Sequence, residues 1–212
     1  MFTRKRLILV GIVLVAIGIA GLVTAFSMLN KPTKIPESNI SAPVIESPVS
    51  DKPKPEEIAE YTVAPDLPKF ISIPKLDITN ARVFSLGLKN GEIATPSNIH
   101  DAGWYKNSAK PGESGAMFMY GHRSSWESEG LFRNLSKLKS GDTFTITKGD
   151  NEVLTYKVVT SKTYKKDDVD MNEVLAPINE SKSGLNLMTC VGEVIEGTND
   201  FTERLIVFAV QQ

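Results

Sequence analysis

The stretch Leu185-Asn186-Leu187-Met188-Thr189-Cys190 decides how the rest of the chain is read. Its leucines recur at every second residue, the period of a strand. That alternation sets Leu185, Leu187 and Thr189 on one face and Asn186, Met188 and Cys190 on the other. Val191-Gly192 then turns the chain away. The run ends in the only cysteine of 212 residues, so no intrachain disulfide is possible. A lone thiol at a strand end is either a small buried hydrophobe or a nucleophile. The surrounding sequence has to separate the two.

Working outward, short strands recur on both sides. Residues 204–210 are almost wholly apolar after Arg204, as a strand buried on both faces is. Residues 143–147 and 153–163 flank the turn Gly149-Asp150-Asn151. Residues 116–120 form an apolar run that ends at Gly121-His122. Residues 70–76, 81–86 and 93–95 supply three more strands, with Pro74 placing the first near an edge. Leu131, Phe132, Leu135 and Leu138 stand at helical spacing and predict a short helix over 129–138. A second short helix is expected within 167–175. Seven or eight strands with two brief helical insertions, and no strand–helix–strand alternation, predict one antiparallel barrel or sandwich over residues 67–212.

The chain ahead of that domain is of two other kinds. Arg4, Lys5 and Arg6 precede residues 7–29, a run of 23 residues without a charge. As a helix this run reaches about 34 Å, enough for a bilayer core. The flanking basic residues predict an anchor with its N-terminus inside and the domain outside. A cleaved signal peptide is the other reading, and Ala25-Phe26-Ser27 would be its cleavage site. Residues 30–66 carry Pro32, Pro36, Pro43, Pro48, Pro53, Pro55 and Pro65 among Ser, Lys and Glu. Such a segment buries too little to order itself and reads as an extracellular stalk, with at most a helical turn near 56–61. The formal net charge of −1 gives no electrostatic case for nucleic acid.

Three reactive residue types fall at strand ends: His122, Cys190 and Arg204. Together they suit thiol acyl transfer. Imidazole can take the thiol proton and later protonate a leaving amine, and a guanidinium can stabilise an oxyanion. The Thr189 hydroxyl is placed to orient the site or to meet substrate. Each residue alone has a plain structural reading: a packing thiol, a strand-end histidine on a carbonyl, a solvated arginine. The order His–Cys–Arg runs opposite to papain-like peptidases, where cysteine precedes histidine.

In this order the motifs resemble the sortases, membrane-anchored cysteine transpeptidases of bacterial surfaces. The resemblance spans residues 67–210. Ile71-Ser72-Ile73-Pro74-Lys75-Leu76 is similar to the family's opening strand. Gly103-Trp104-Tyr105 and Pro111-Gly112-Glu113-Ser114-Gly115 resemble the approach to its histidine. Gly121-His122, Phe132-x-x-Leu135-x-x-Leu138-x-x-Gly141-Asp142, Leu187-Met188-Thr189-Cys190 and Arg204 follow. The pattern is nearest the class D, E or F kind, with class F slightly preferred. Asn186 departs from the signature, which usually has Thr there.

The resemblance implies an all-β fold, an eight-stranded antiparallel or mixed barrel behind an N-terminal transmembrane helix. It implies cleavage of an LPxTG-like motif through a thioacyl-enzyme and transfer to an amine of a peptidoglycan precursor or a pilin. Cys190 would be the nucleophile, His122 the acid/base and Arg204 the stabiliser, with Thr189 near substrate. No cofactor is required. Some members use calcium, but Glu127, Glu129, Asp167, Asp168 and Asp170 lack an EF-hand spacing, and one Cys with two His does not make a zinc site. His100 sits in a loop and is left out of the site. The connection 191–203, with Ile195 and Phe201, is expected to wall the substrate groove. A stalk-mounted binding module and a simple cysteine peptidase are the alternatives.

Overall fold

The barrel strands turn one face inward, and most of the inward residues are apolar. The computed structural model describes residues 51–89, 91–124, 128–198 and 200–212. The anchor expected at 7–29, most of the stalk and Glu127 lie outside them. Among the described residues no helix is long and apolar enough to cross a membrane.

The described residues form ten strands: β1 (Pro68–Ile73), β2 (Ile78–Leu86), β3 (Leu88–Lys89), β4 (Glu92–Ile93), β5 (Ala102–Tyr105), β6 (Ala116–Gly121), β7 (Thr143–Lys148), β8 (Val153–Lys165), β9 (Gly184–Val194) and β10 (Phe201–Gln211). Eight of them close a barrel in the order β1-β2-β5-β6-β9-β10-β8-β7, and β3 and β4 form a small hairpin outside it. Ile71 and Ile73, Met117 and Met119, Phe144 and Ile146, Leu154, Tyr156 and Val158, Leu185 and Leu187, and Leu205, Val207 and Ala209 meet in one core. Each set is spaced by two, so alternation alone assigns inside and outside.

The barrel is mixed, where the spacing of strands predicts an antiparallel one. β2 pairs with β5 and β6 pairs with β9 in parallel; the other pairs are antiparallel. Two further expectations change. The 129–138 helix is a set of turns with one 3₁₀ turn at Leu135–Lys137. Its apolar residues Phe132, Leu135 and Leu138 still reach the core, which accounts for their spacing. β1 stops at Ile73, and Pro74–Leu76 forms a 3₁₀ turn. Proline at the first position of that turn forfeits no hydrogen bond.

Among the described residues there are also two short α-helices, α1 (Pro55–Ala59) and α2 (Met171–Leu175). Asp170 caps α2 by accepting from the Asn172 amide at 2.9 Å. Asn186 fastens α2 to the outer face of β9. Its Nδ2 donates to the carbonyls of Val174 at 2.6 Å and Ala176 at 3.0 Å. The described end of the proline-rich segment lies against the barrel, where the Tyr61 hydroxyl donates to the Val83 carbonyl at 2.5 Å. Beside it Arg82 holds Asp101 in a bidentate pair at 3.0 and 2.9 Å, tying β2 to the start of β5.

Candidate active site

The same alternation that fills the core sends the other residues of β6, β9 and β10 outward. Tyr120 on β6, Cys190 on β9 and Arg204 on β10 all belong to that outer set. Cys190 and Arg204 are direct partners in the antiparallel register of β9 and β10. Tyr120 pairs with Met188 in the parallel register of β6 and β9. Two more residues along both chains, His122 comes level with Cys190.

Two buried contacts fix that level. The Thr189 hydroxyl donates to the Gly121 carbonyl at 2.8 Å, so the residue before the cysteine is bonded to the residue before the histidine. Gly121 has no room for a side chain, since a Cβ there would lie 2.5 Å from the Phe132 ring. Phe132 in turn gives its amide to the His122 carbonyl at 2.9 Å. Thr189 is 1% exposed. Its hydroxyl is spent inside the fold on the Gly121 carbonyl and does not face solvent.

Cys190 is 7% exposed. Its sulfur lies 2.9 Å from the Tyr120 hydroxyl, and the Tyr120 ring meets the His122 ring edge-on with centroids 5.8 Å apart. Burial pushes the Cys190 thiol above its ordinary value. The Tyr120 hydrogen bond and the Arg204 charge pull it part of the way back. Burial also drives the Tyr120 phenol upward, so it stays protonated and able to donate to a thiolate.

His122 Nε2 lies 2.6 Å from the Pro96 carbonyl. A carbonyl only accepts, so Nε2 carries a proton and, in the neutral ring, Nδ1 keeps the lone pair. Burial lowers the His122 pKa, and the Pro96 bond opposes that. Both shifts favour the uncharged forms, thiol and imidazole.

Arg204 is held at several points. Its Nη1 donates to the carbonyls of Phe201 at 2.9 Å and Glu203 at 3.0 Å, and its Nη2 to Asp200 Oδ1 at 2.8 Å. Asp200 Oδ2 also lies 2.6 Å from Lys166 Nζ. Burial raises the Asp200 carboxyl, but Lys166, the Phe201 amide and Arg204 outweigh it and hold the group below the ordinary carboxylate range.

Chain following the cysteine does not leave the sheet at Gly192. β9 continues to Val194 and β10 begins at Phe201, so most of the expected connection is a strand pair with a short turn. Arg123 clasps this hairpin. Its guanidinium donates to the Gly192 carbonyl at 3.1 Å and lies 5.0 Å from the Phe201 ring centre. Among the described residues no group of three His, Cys, Asp or Glu side chains is disposed to hold a metal.

Sequence reasoning passed over Tyr120, Asp200 and Arg123. Tyr120 was within reach, since it is two residues before His122 and so shares its face. Asp200, four residues before Arg204, gave no comparable signal, because acidic residues are common in turns.

A family profile for the sortase domain matches residues 71–212. The chain belongs to the sortase family. That family is one of cysteine transpeptidases, and the match takes in the whole His122, Cys190 and Arg204 set. Solved sortases share the fold. Sortase A from Corynebacterium diphtheriae is 26% identical with a TM-score of 0.52, over 69% of this chain and 60% of that one. The chain thus spans less than two thirds of that protein's length. Sortase C1 from Streptococcus agalactiae is 27% identical with a TM-score of 0.51, over 75% of this chain and 77% of that one. A pilus-related sortase C of Group B Streptococcus is 25% identical with a TM-score of 0.52, over 72% and 70%. No curated protein sequence matches at comparable significance.

Proposed function

We propose that this chain is a cell-surface transpeptidase that cuts an LPxTG-like sorting motif between its Thr and Gly. It then joins the new C-terminus to an amine of a peptidoglycan precursor or a pilin. The observation that carries the proposal is the pairing of Cys190 with Arg204 across β9 and β10, with Tyr120 on the sulfur and His122 on the neighbouring strand end.

In this reading Cys190 is the nucleophile. The thiol proton passes to the His122 imidazole, the thiolate attacks the threonine carbonyl carbon and a C–S bond forms. The electron pair moves to the carbonyl oxygen, where the guanidinium of Arg204 stabilises the oxyanion. Collapse breaks the C–N bond, and the imidazolium of His122 gives its proton to the departing glycine amine. The thioester then meets the acceptor amine. His122 takes the proton from the attacking nitrogen, the C–S bond breaks and the thiolate returns. Tyr120 donates to the sulfur whenever it is charged. This sequence calls on no cofactor. The charge-free run at 7–29 behind three basic residues supports a single-pass anchor, N-terminus inside, with the catalytic domain outside.

Incubation with an LPxTG-type peptide and triglycine tests the function. The proposal predicts a product lengthened by the acceptor. Product ending at the threonine carboxyl, even at high acceptor concentration, would make the chain a peptidase instead.

A further inference from the structure

The contacts around Arg204 point to a residue that the acyl-transfer steps do not use. A guanidinium has five N–H groups in one plane. Here Nη1 is taken by two backbone carbonyls, those of Phe201 and Glu203, and Nη2 is taken by the Asp200 carboxylate. The two carbonyls hold the Nη1 end of the fork. Asp200 fixes the other end. Asp200 is itself held from two sides, by the Phe201 amide on Oδ1 at 2.8 Å and by Lys166 Nζ on Oδ2 at 2.6 Å. Lys166 comes from the 3₁₀ turn Lys166–Asp168 that follows β8, so a separate connection of the barrel braces the carboxylate.

We infer that Asp200 is a positioning residue that sets the plane of the Arg204 guanidinium, and that Lys166 keeps Asp200 in place. The inference rests on the reading of Arg204 as the oxyanion stabiliser. The exposures separate this role from a structural one. The Asp200 and Lys166 side chains are 31% and 39% exposed, and that of Arg204 is 12% exposed. The Asp200–Lys166 pair, open to solvent on both sides, adds little to stability, and Arg204 keeps its two backbone acceptors when Asp200 is removed. Misorienting a donor at the reacting centre by about 1 Å can cost on the order of 100-fold in rate. Loss of Asp200 should therefore appear in turnover and not in folding.

The test uses the full chain and two readouts. Steady-state kinetics with an LPxTG-type peptide and triglycine should show kcat of Asp200→Ala down about tenfold, with KM and the melting temperature near wild type. Asp200→Asn keeps an acceptor oxygen and should restore kcat to within about threefold of wild type. Lys166→Met should fall between the two. Side-chain NMR of Arg204 reads the same inference without turnover. Rotation about its Cζ–Nε bond should be slow in the wild type and in Asp200→Asn, and fast in Asp200→Ala. Wild-type kcat in Asp200→Ala, or guanidinium rotation unchanged by that substitution, overturns the inference. Absence of turnover in the wild type with rotation freed by Asp200→Ala would instead overturn the reading of the reaction.

Discussion

The Tyr120 hydroxyl lies 2.9 Å from the Cys190 sulfur, and both residues are buried. A phenol that burial keeps protonated can donate, and a donor at that distance favours the charged form of the sulfur. The Cys190 thiol nevertheless stands above its ordinary value of 9.0, because burial is the larger effect. Its alkylation by iodoacetamide should therefore have a midpoint above 9.0 in the wild type. Tyr120→Phe should move that midpoint further up and lower turnover at neutral pH by about tenfold, the worth of one charge-assisted hydrogen bond. An unchanged midpoint would remove Tyr120 from the chemistry.

His122 makes the fold itself sensitive to acid. Its folded pKa lies below the ordinary 6.5, with burial the main cause. Between the folded and unfolded values the unfolded chain binds more protons, so stability falls as pH drops. The contribution is complete above about 6.5 and is lost as pH falls through the folded value. Urea unfolding at pH 7.5, 6.5 and 5.5 should show a declining midpoint, and His122→Gln should flatten that decline. A decline of equal slope in the variant would assign it to the carboxylates.

Gly121 sets the position of the histidine through space rather than through conformation. Gly121→Ala places a methyl 2.5 Å from the Phe132 ring. Overpacking of this kind costs about 1–3 kcal/mol. The added strain falls on the residue next to His122, so kcat should drop by more than the loss of stability explains. Thermal melting and kcat measured on the same preparation check both halves.

Arg82 and Asp101 form a buried bidentate pair away from the thiol. Removing one partner strands the other charge, at a cost of about 3–5 kcal/mol. Asp101→Ala should lower the urea midpoint steeply while kcat per folded molecule stays near wild type. A selective loss of kcat would tie this pair to the site.

How much of this was legible depends on what each residue answers to. Strands with one core face announce themselves, as Leu185 and Leu187 or Phe144 and Ile146 do, because inside and outside differ at every step. Ala102–Tyr105 is buried throughout and includes Gly103, so β5 has no alternation to read. Leu131, Phe132, Leu135 and Leu138 have a helix's spacing, yet turns serve the core equally well there. Parallel pairing of β6 with β9 joins segments about 70 residues apart, and no local pattern encodes it. Within the site, Cys190, His122 and Arg204 stood out by chemistry and order. Tyr120, Asp200 and the Pro96 carbonyl act through contacts that only the closed barrel brings together.

The central claim is that Cys190 carries the acyl group, and intact-protein mass spectrometry tests it most directly. The protein is mixed with an LPxTG-type peptide, without acceptor, and quenched in acid. The account predicts an adduct with the mass of the peptide up to its threonine, located on the fragment containing Cys190. The adduct is released by hydroxylamine and absent in Cys190→Ala. Cleavage of the peptide by Cys190→Ala at the wild-type rate would contradict the account.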